Sequence, residues 1–154
     1  MDILSVMYSP ELVARLIHRF LSGAQAANPK GIKFELVYWL LPLLINDSVR
    51  EGVENSNINS VFDNSVLKKE NMPIILEINE LINDFRDITN HGIMYLGSKV
   101  DLKIDDYIHL DKLVDHKSDN VYLKEYYRAA YYLGVMMSKE DYRSLFLKLE
   151  VTDI

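Results

Sequence analysis

The sequence of 154 residues contains no cysteine. Without cysteine the chain can have no disulfide framework, no thiol nucleophile and no zinc site built from thiolates. Glycine is also scarce, and its six residues are scattered, so no glycine-rich loop of the kind that cradles phosphates is visible. The first ten residues, MDILSVMYSP, lack the basic and apolar regions of a signal peptide. From these absences we expect a cytoplasmic protein.

Long apolar runs are absent as well. The most apolar stretch, residues 36–45, has ten uncharged residues, whereas a membrane-spanning helix needs about 20. The stretch therefore predicts a buried helix and no membrane span. Because Pro42 removes a helix hydrogen bond, we expect a kink there, or one helix that ends near Leu41 and another that begins with Pro42. The flanking apolar residues cover nearly all faces, which predicts an element enclosed on most sides.

Positive charge is in short supply. The chain has 17 Lys and Arg residues against 23 Asp and Glu residues, for a formal net charge of −6. Such a chain repels phosphate backbones on average. The adjacent basic pair Lys68 and Lys69 is followed by Glu70, and we interpret it as a solvated surface pair. The charge balance therefore disfavours direct binding of nucleic acid.

The first predicted helix has clear signals at both ends. Ser9, Pro10 and Glu11 are typical of a helix start, and apolar residues follow at helical spacing. Gly23 is a natural stop. We therefore predict a helix from Pro10 to Gly23 and a loop over residues 23–31.

Further helices are predicted on both sides of a hairpin. Pro73 opens one helix, and another runs over about residues 87–95 and ends by Gly97. Residues 51–60 are polar and are predicted to be irregular. Alternation over residues 100–110 predicts a two-stranded hairpin.

The details of the hairpin and the next loop also follow from local patterns. Asp105 and Asp106 occupy the predicted turn of the hairpin. Residues 115–120 are predicted to form a second loop.

The C-terminal third is the most helical part of the pattern. Apolar residues at helical spacing predict a helix over residues 122–137, and Ser138 with Asp141 forms a capping box that predicts a new helix from Lys139. Five tyrosines lie between positions 122 and 132. They fit an amphipathic helix whose rings cover the core, and they also fit a protein interface.

The order of segments predicts a mainly α (α+β) fold: one helical domain, residues 1–154, with a single β-hairpin. A helix that leads directly into a hairpin is typical of a winged-helix domain, many of which bind DNA. Here the tip of the hairpin would carry Asp105 and Asp106, whose charge has the wrong sign for a phosphate contact. A winged-helix DNA-binding regulator is therefore the alternative interpretation, and a winged-helix-like domain that contacts proteins is the favoured one.

No catalytic set is evident. The four histidines lie in no recognised metal or nucleophile motif. His109, Asp111, His116 and Asp119 are close in sequence, but their spacing fits no metal template, and we interpret them as surface residues. We therefore predict no enzyme activity, no metal and no cofactor.

The order of several segments resembles the middle component of bacterial three-component ABC-ATPase conflict systems. The resemblance is carried by SPELVARLIHRFLSG (9–23), FELVYWLLPLLINDSVR (34–50), NSVF (59–62), the helix-to-hairpin stretch (85–110) and AAYYLGVMMSKEDYRSLFLKLEV (129–151). An early Phe-Leu-x-Gly is matched by Phe20, Leu21 and Gly23. An apolar L-P-L-L followed by a basic residue is matched by Leu41–Leu44 and Arg50. The resemblance covers almost the whole chain.

This resemblance implies a non-enzymatic adaptor. Such a subunit would bridge an SMC- or RecN-like ABC ATPase and a larger effector in defence against phages or plasmids. The subunit would reach DNA only indirectly, through the complex. Whether the chain also forms a homo-oligomer is left undecided by the sequence. We expect the Pro42 segment and the tyrosine-rich helix to form docking faces. Because Tyr and Arg dominate interface hot spots, Tyr127, Arg128, Tyr131 and Arg143 are the predicted docking residues.

Overall fold

The computed structural model describes residues 9–151, and helices account for most of them. The α-helices in this range are α1 (Pro10–Ala27), α2 (Leu40–Leu44), α3 (Asp47–Glu54), α4 (Phe62–Ser65), α5 (Met72–Leu76), α6 (Ile78–Asp84), α7 (Arg86–Gly97), α8 (Val121–Ser138) and α9 (Tyr142–Lys148). The strands are β1 (Ile32–Lys33), β2 (Leu102–Ile104) and β3 (Tyr107–Leu110), and 3-10 helices lie at Phe34–Trp39 and Lys69–Asn71. The predicted mainly α (α+β) fold is confirmed.

Helices α1 and α8 pack against each other more extensively than any other two elements of the described range. Their contact depends on two glycines. A Cβ atom at Gly23 would lie 2.0 Å from the carbonyl oxygen of Tyr131, and one at Gly134 would lie 1.9 Å from that of Phe20. No side chain fits in such a space, so the two backbones can approach this closely only at glycine.

The predicted helix stop at Gly23 is wrong for this reason. Gly23 serves the helix crossing, and α1 continues to Ala27 before Asn28 caps it by donating its backbone N–H to the Ala24 carbonyl. The predicted loop is therefore confined to residues 28–31. The predicted start at Pro10 is correct, although the Ser9 side chain makes no capping hydrogen bond.

The Pro42 segment lies in the core. The 3-10 helix ends at Trp39, and α2 begins at Leu40, so Pro42 is the third residue of α2. Backbone N–H groups in the first turn of a helix have no intrahelical acceptor, and proline therefore costs no hydrogen bond there. The restart that we predicted at Pro42 comes two residues earlier. All five residues of α2 are buried, which confirms the predicted enclosure.

The predicted hairpin is present, and it belongs to a larger sheet. Strands β2 and β3 pair antiparallel, with Ile104 opposite Ile108. In the turn, the Asp105 carboxylate accepts a hydrogen bond of 3.0 Å from the Tyr107 N–H. Strand β1 pairs with β3 on its other side, with Ile32 also opposite Ile108. The sequence did not predict β1, since two residues are too few to show an alternating pattern.

Two further predicted boundaries are wrong. The predicted irregular region 51–60 overlaps α3, which extends to Glu54. The helix predicted from Lys139 begins at Tyr142 instead, with Asp141 as its N-cap. Ser138 cannot cap it, because Ser138 is the last residue of α8 and its hydroxyl donates to the Val135 carbonyl at 2.9 Å.

Other features agree with the sequence or stay untested. Residues 115–120 contain no helix or strand, as predicted. Helix α7 leads into the hairpin, but the likeness to winged-helix domains and the assignment of 1–154 to a single domain remain predictions. None of the helices within residues 9–151 has the length and apolar character needed to cross a membrane.

Candidate protein-docking surfaces

The four predicted docking residues lie in different environments. The side chain of Tyr127 is only 4% exposed, and the guanidinium carbon of Arg19 lies 4.1 Å from its ring centroid. Tyr127 therefore belongs to the core, and a substitution there would change the packing of α8 before it changed any surface. Tyr126 is buried in the same way. For these two tyrosines the amphipathic-helix interpretation is confirmed.

Arg128 is half-buried and ties α8 to the end of α3. Its Nε donates to the Glu54 carbonyl at 2.5 Å, and its Nη2 donates to the Ser56 carbonyl at 3.0 Å. The guanidinium also lies over the ring of Tyr132, 4.8 Å from the centroid. Arg128 thus has a structural role in addition to any contact with a partner.

Tyr131 is half-buried in a cluster with His116 and Tyr132. The His116 ring lies 5.2 Å from the Tyr131 ring and 5.4 Å from the Tyr132 ring, measured between centroids. Burial lowers the pKa of His116, and the nearby positive charge of Arg128 lowers it further. Burial raises the pKa of the Tyr131 hydroxyl. Both groups are therefore held in their neutral forms near neutral pH.

Arg143 is exposed on the first turn of α9. Leu147 lies one turn later on the same face and is 79% exposed. Residues 58–63 are held beside α9 by two contacts. Lys148 of α9 pairs with Asp63 at 2.8 Å, and Lys139, just before α9, donates to the Ile58 carbonyl. We call Arg143 and Leu147 the α9 surface.

A second exposed apolar face lies at the start of α8. Val121 and Tyr122 are 74% and 72% exposed, and Glu125 follows one turn later on the same side of the helix. We call these three residues the α8 surface. Sequence reasoning placed the tyrosine-rich helix at an interface but chose its middle, where the rings are most buried.

The α8 surface lies beside an acidic group on α3. Glu54 faces Glu125 and Glu51, and its pKa is raised first by burial and then by the charge of Glu125. Arg50 offsets part of this negative charge through an ion pair with Glu125 at 2.7 Å. The surface thus combines exposed apolar atoms with an excess of carboxylates, a combination that suits a partner with basic and apolar side chains.

Three other predicted features can be compared with the structure. Leu40–Leu44, around Pro42, are buried and present no side chain to a partner, so a docking role of the Pro42 segment would depend on its flanking residues and stays a prediction. Among residues 9–151, no three His, Asp or Glu side chains lie close enough together to hold a metal ion. The hairpin tip exposes Asp105 and Asp106, and this gives no support to the DNA-binding alternative.

Comparison with known proteins gives one match. A family model for the ABC-three component (ABC-3C) system Middle Component 3 covers residues 2–152. The chain belongs to this family. No curated protein and no solved structure matches the chain significantly.

The residues of the two short motifs that match the family, Phe20–Gly23 and Leu41–Leu44 with Arg50, are buried in this middle component. Phe20 and Gly23 lie at the crossing of α1 and α8. Arg50 donates from Nη1 to the Leu44 carbonyl at 3.1 Å, at the end of α2. These positions preserve the packing of the fold, so the docking residues have to be sought on the surface.

Proposed function

We propose that this middle component is a non-enzymatic adaptor that bridges an ABC-type ATPase and a larger effector subunit of a bacterial defence system. It would work in the cytoplasm and would reach DNA only through the complex. Membership of the family supports the assignment to a three-component system. The bridging role is supported by the structure in one respect, namely that exposed apolar side chains occur on more than one helix, among them Val121 and Tyr122 on α8 and Leu147 on α9.

The two surfaces differ in charge, which suits two different partners. The α8 surface is bordered by Glu51 and Glu54 of α3. The α9 surface carries the exposed guanidinium of Arg143. Since electrostatic complementarity selects partners, one face fits a basic surface and the other an acidic one. Arg128 and Tyr131 are retained as docking residues in this proposal, and Tyr127 would act only through the packing of α8.

Copurification can test the proposal. A tagged chain is co-expressed with the ATPase and the effector of its own system, and both are recovered from the wild type. The double variant Val121→Ser with Tyr122→Ser should lose one partner, while Arg143→Ala with Leu147→Ser should lose the other. The changed side chains are exposed, so circular dichroism should show an unchanged fold.

Met94 provides the matched control, because it is 72% exposed and lies on α7. Met94→Ser should retain both partners. The bridging proposal would be wrong if both double variants, correctly folded, still recovered the ATPase and the effector at wild-type levels. Loss of both partners from a single surface would show that one face carries the whole interaction.

A further inference from the structure

A cavity of about 390 Å³ opens beside the first two turns of α8. Its lining consists of His116, Lys117, Ser118, Asp119, Lys124 and Arg128. Three of these side chains are cationic and one is anionic, although the whole chain has a formal net charge of −6. The cavity lining therefore has a net positive charge, whereas the chain as a whole has a net negative charge.

The two lysines of this cavity are not neutralised by the fold. Within residues 9–151, neither Lys117 Nζ nor Lys124 Nζ makes an ion pair or a hydrogen bond, and both residues are exposed. Lys148 shows the contrast, because its ammonium group pairs with Asp63 at 2.8 Å and with Glu140 at 3.6 Å. The cavity lysines can thus turn toward a bound anion without giving up an existing contact.

Arg128 brings a fixed positive charge to the same cavity. Its Nε and Nη2 donate to two backbone carbonyls, which hold the guanidinium in place but do not cancel its charge. Its Nη1 lies 3.5 Å from Nε2 of His116. Each terminal nitrogen carries a second N–H, and a guanidinium can donate such bonds to the oxygens of a phosphate group.

Other groups complete the lining. The Ser118 hydroxyl accepts a hydrogen bond from the Asn120 N–H at 3.2 Å, and its own proton is free to be donated. The Asn120 side chain already accepts from the N–H groups of Tyr122 and Leu123. The N–H groups of Tyr122 and Leu123 are therefore not free to bind a ligand, and we assign its binding to the side chains. Asp119 is the one carboxylate in the lining, and its negative charge disfavours the binding of an anion.

We propose that this cavity binds a small, multiply phosphorylated anion, such as pyrophosphate or the phosphate chain of a nucleoside triphosphate. A single phosphate would leave much of the space and two of the three cations without a contact. A chain of phosphates can contact Lys117, Lys124 and Arg128 together, and the volume lies in the range of small-ligand sites. This site shares no residue with the α8 and α9 surfaces as defined above, and its proposed ligand goes beyond the adaptor role.

Isothermal titration of the full chain with pyrophosphate and with ATP, in separate experiments without divalent metal, tests the proposal. We expect saturable binding of at least one of the two. The double variant Lys117→Gln with Lys124→Gln should weaken binding about tenfold or more, since each lost charged contact is worth a factor of this order. Lys69→Gln with Lys30→Gln removes the same charge from exposed positions outside the cavity and should leave the affinity within about twofold.

The two ligands distinguish the source of the phosphates. Tighter binding of ATP than of pyrophosphate indicates a nucleotide, and equal affinity indicates that the phosphate chain alone is recognised. The proposal is overturned if neither ligand binds at concentrations up to about 10 mM, since a weaker affinity corresponds to less than about 3 kcal/mol of binding free energy. It is also overturned if both pairs of lysine variants weaken binding equally.

Discussion

Two arginines join helices α3 and α8, and the structure treats them differently. Arg50 extends from α3 to Glu125 on α8, and Arg128 extends from α8 back to the end of α3. Each guanidinium also lies over a tyrosine ring, at 4.3 Å from the Tyr126 centroid for Arg50 and at 4.8 Å from the Tyr132 centroid for Arg128. We call them the Arg50 clamp and the Arg128 clamp.

The difference lies in what neutralises the charge. Arg50 is buried and pairs with two carboxylates, those of Asp47 at 2.5 Å and Glu125 at 2.7 Å. Arg128 is half-buried and contacts two carbonyl oxygens, a histidine ring and the Tyr132 ring, and it makes no ion pair within residues 9–151, although the charge of Glu54 lies near enough to interact with it. The charge of the Arg50 clamp is neutralised by these two carboxylates, so we assign it a role in stability alone. The Arg128 clamp keeps a net positive charge, which makes it the one suited to a ligand.

The largest effect is expected from moving α8 itself, because both clamps depend on its position. Gly134→Ala places a methyl group 1.9 Å from the Phe20 carbonyl oxygen, so α1 and α8 must separate. We expect a loss of at least about 3 kcal/mol in the free energy of unfolding, which is the upper end of the range for adding a methylene to a packed core. Urea unfolding followed by circular dichroism measures this loss.

Gly97→Ala is the control for that substitution. The new methyl group would meet Leu102 Cδ1 at 3.7 Å, which is ordinary van der Waals contact. Its stability should stay within about 1 kcal/mol of the wild type. Equal losses for Gly134→Ala and Gly97→Ala would mean that the helix crossing is not the constraint described here.

The second prediction compares the clamps directly. Arg50→Met removes two ion pairs and leaves the Leu44 carbonyl without its donor, so we expect a loss of about 2 to 3 kcal/mol. The loss stays below that of a fully buried pair because Asp47 is hydrated. Arg128→Met should cost less, about 1 kcal/mol, since it breaks no ion pair and gives up bonds to backbone carbonyls and contacts with the rings of His116 and Tyr132.

Urea midpoints of the two methionine variants decide between these expectations. A ranking in which Arg128→Met is the less stable of the two would show that charge neutralisation does not distinguish the clamps. If instead Arg50→Met is the less stable variant, as we expect, and only Arg128→Met loses binding of pyrophosphate or ATP, then the Arg50 clamp serves stability and the Arg128 clamp serves ligand binding.

Sequence patterns predicted the parts of this fold that depend on neighbours in the chain. The start of α1 at Pro10 and the turn at Asp105 and Asp106 follow from local preferences. Gly23 misled the prediction, since its neighbour in space, Tyr131, is more than 100 residues away along the chain. A glycine that permits a helix crossing and one that ends a helix look the same in sequence.

The candidate sites were harder to predict for the same reason. Arg50 could be singled out from the family resemblance, but its partner Glu125 lies 75 residues later. The tyrosine-rich helix was recognised as a surface candidate, but which tyrosines are exposed depends on where α1 and α3 cover α8. Tyr122 is exposed and Tyr127 is buried, although they lie only five positions apart on the same helix. Helical periodicity gives the faces of a helix but does not say which face meets solvent at each end.

The smallest effect is expected at His116, and it reports on the Arg128 clamp alone. Charged or titratable groups that face this ring are Arg128, Asp115, Lys117, Tyr131 and Tyr132. Burial is the first cause of its lowered pKa, and the charge of Arg128 is the second. Arg128→Met should therefore raise the pKa of His116 toward its ordinary value without restoring it fully, whereas Arg50→Met should leave it unchanged.

The sign of the effect on stability follows from this lowered pKa. Below the ordinary histidine pKa of 6.5, the unfolded chain binds more protons than the folded chain does. Stability therefore falls as the pH drops through the window between 6.5 and the folded-state pKa, and His18, whose pKa is also lowered by burial, adds a loss of the same sign. In Arg128→Met the contribution of His116 should shrink while that of His18 stays.

Proton NMR titration of the histidine rings measures these pKa values, with His116→Gln to assign the resonance. An unchanged pKa of His116 in Arg128→Met would mean that burial alone sets it and that the guanidinium charge is screened from the ring. In that case the same charge would be screened from an anion in the adjoining cavity. The titration thus tests whether the Arg128 clamp holds a usable positive charge before any ligand is added.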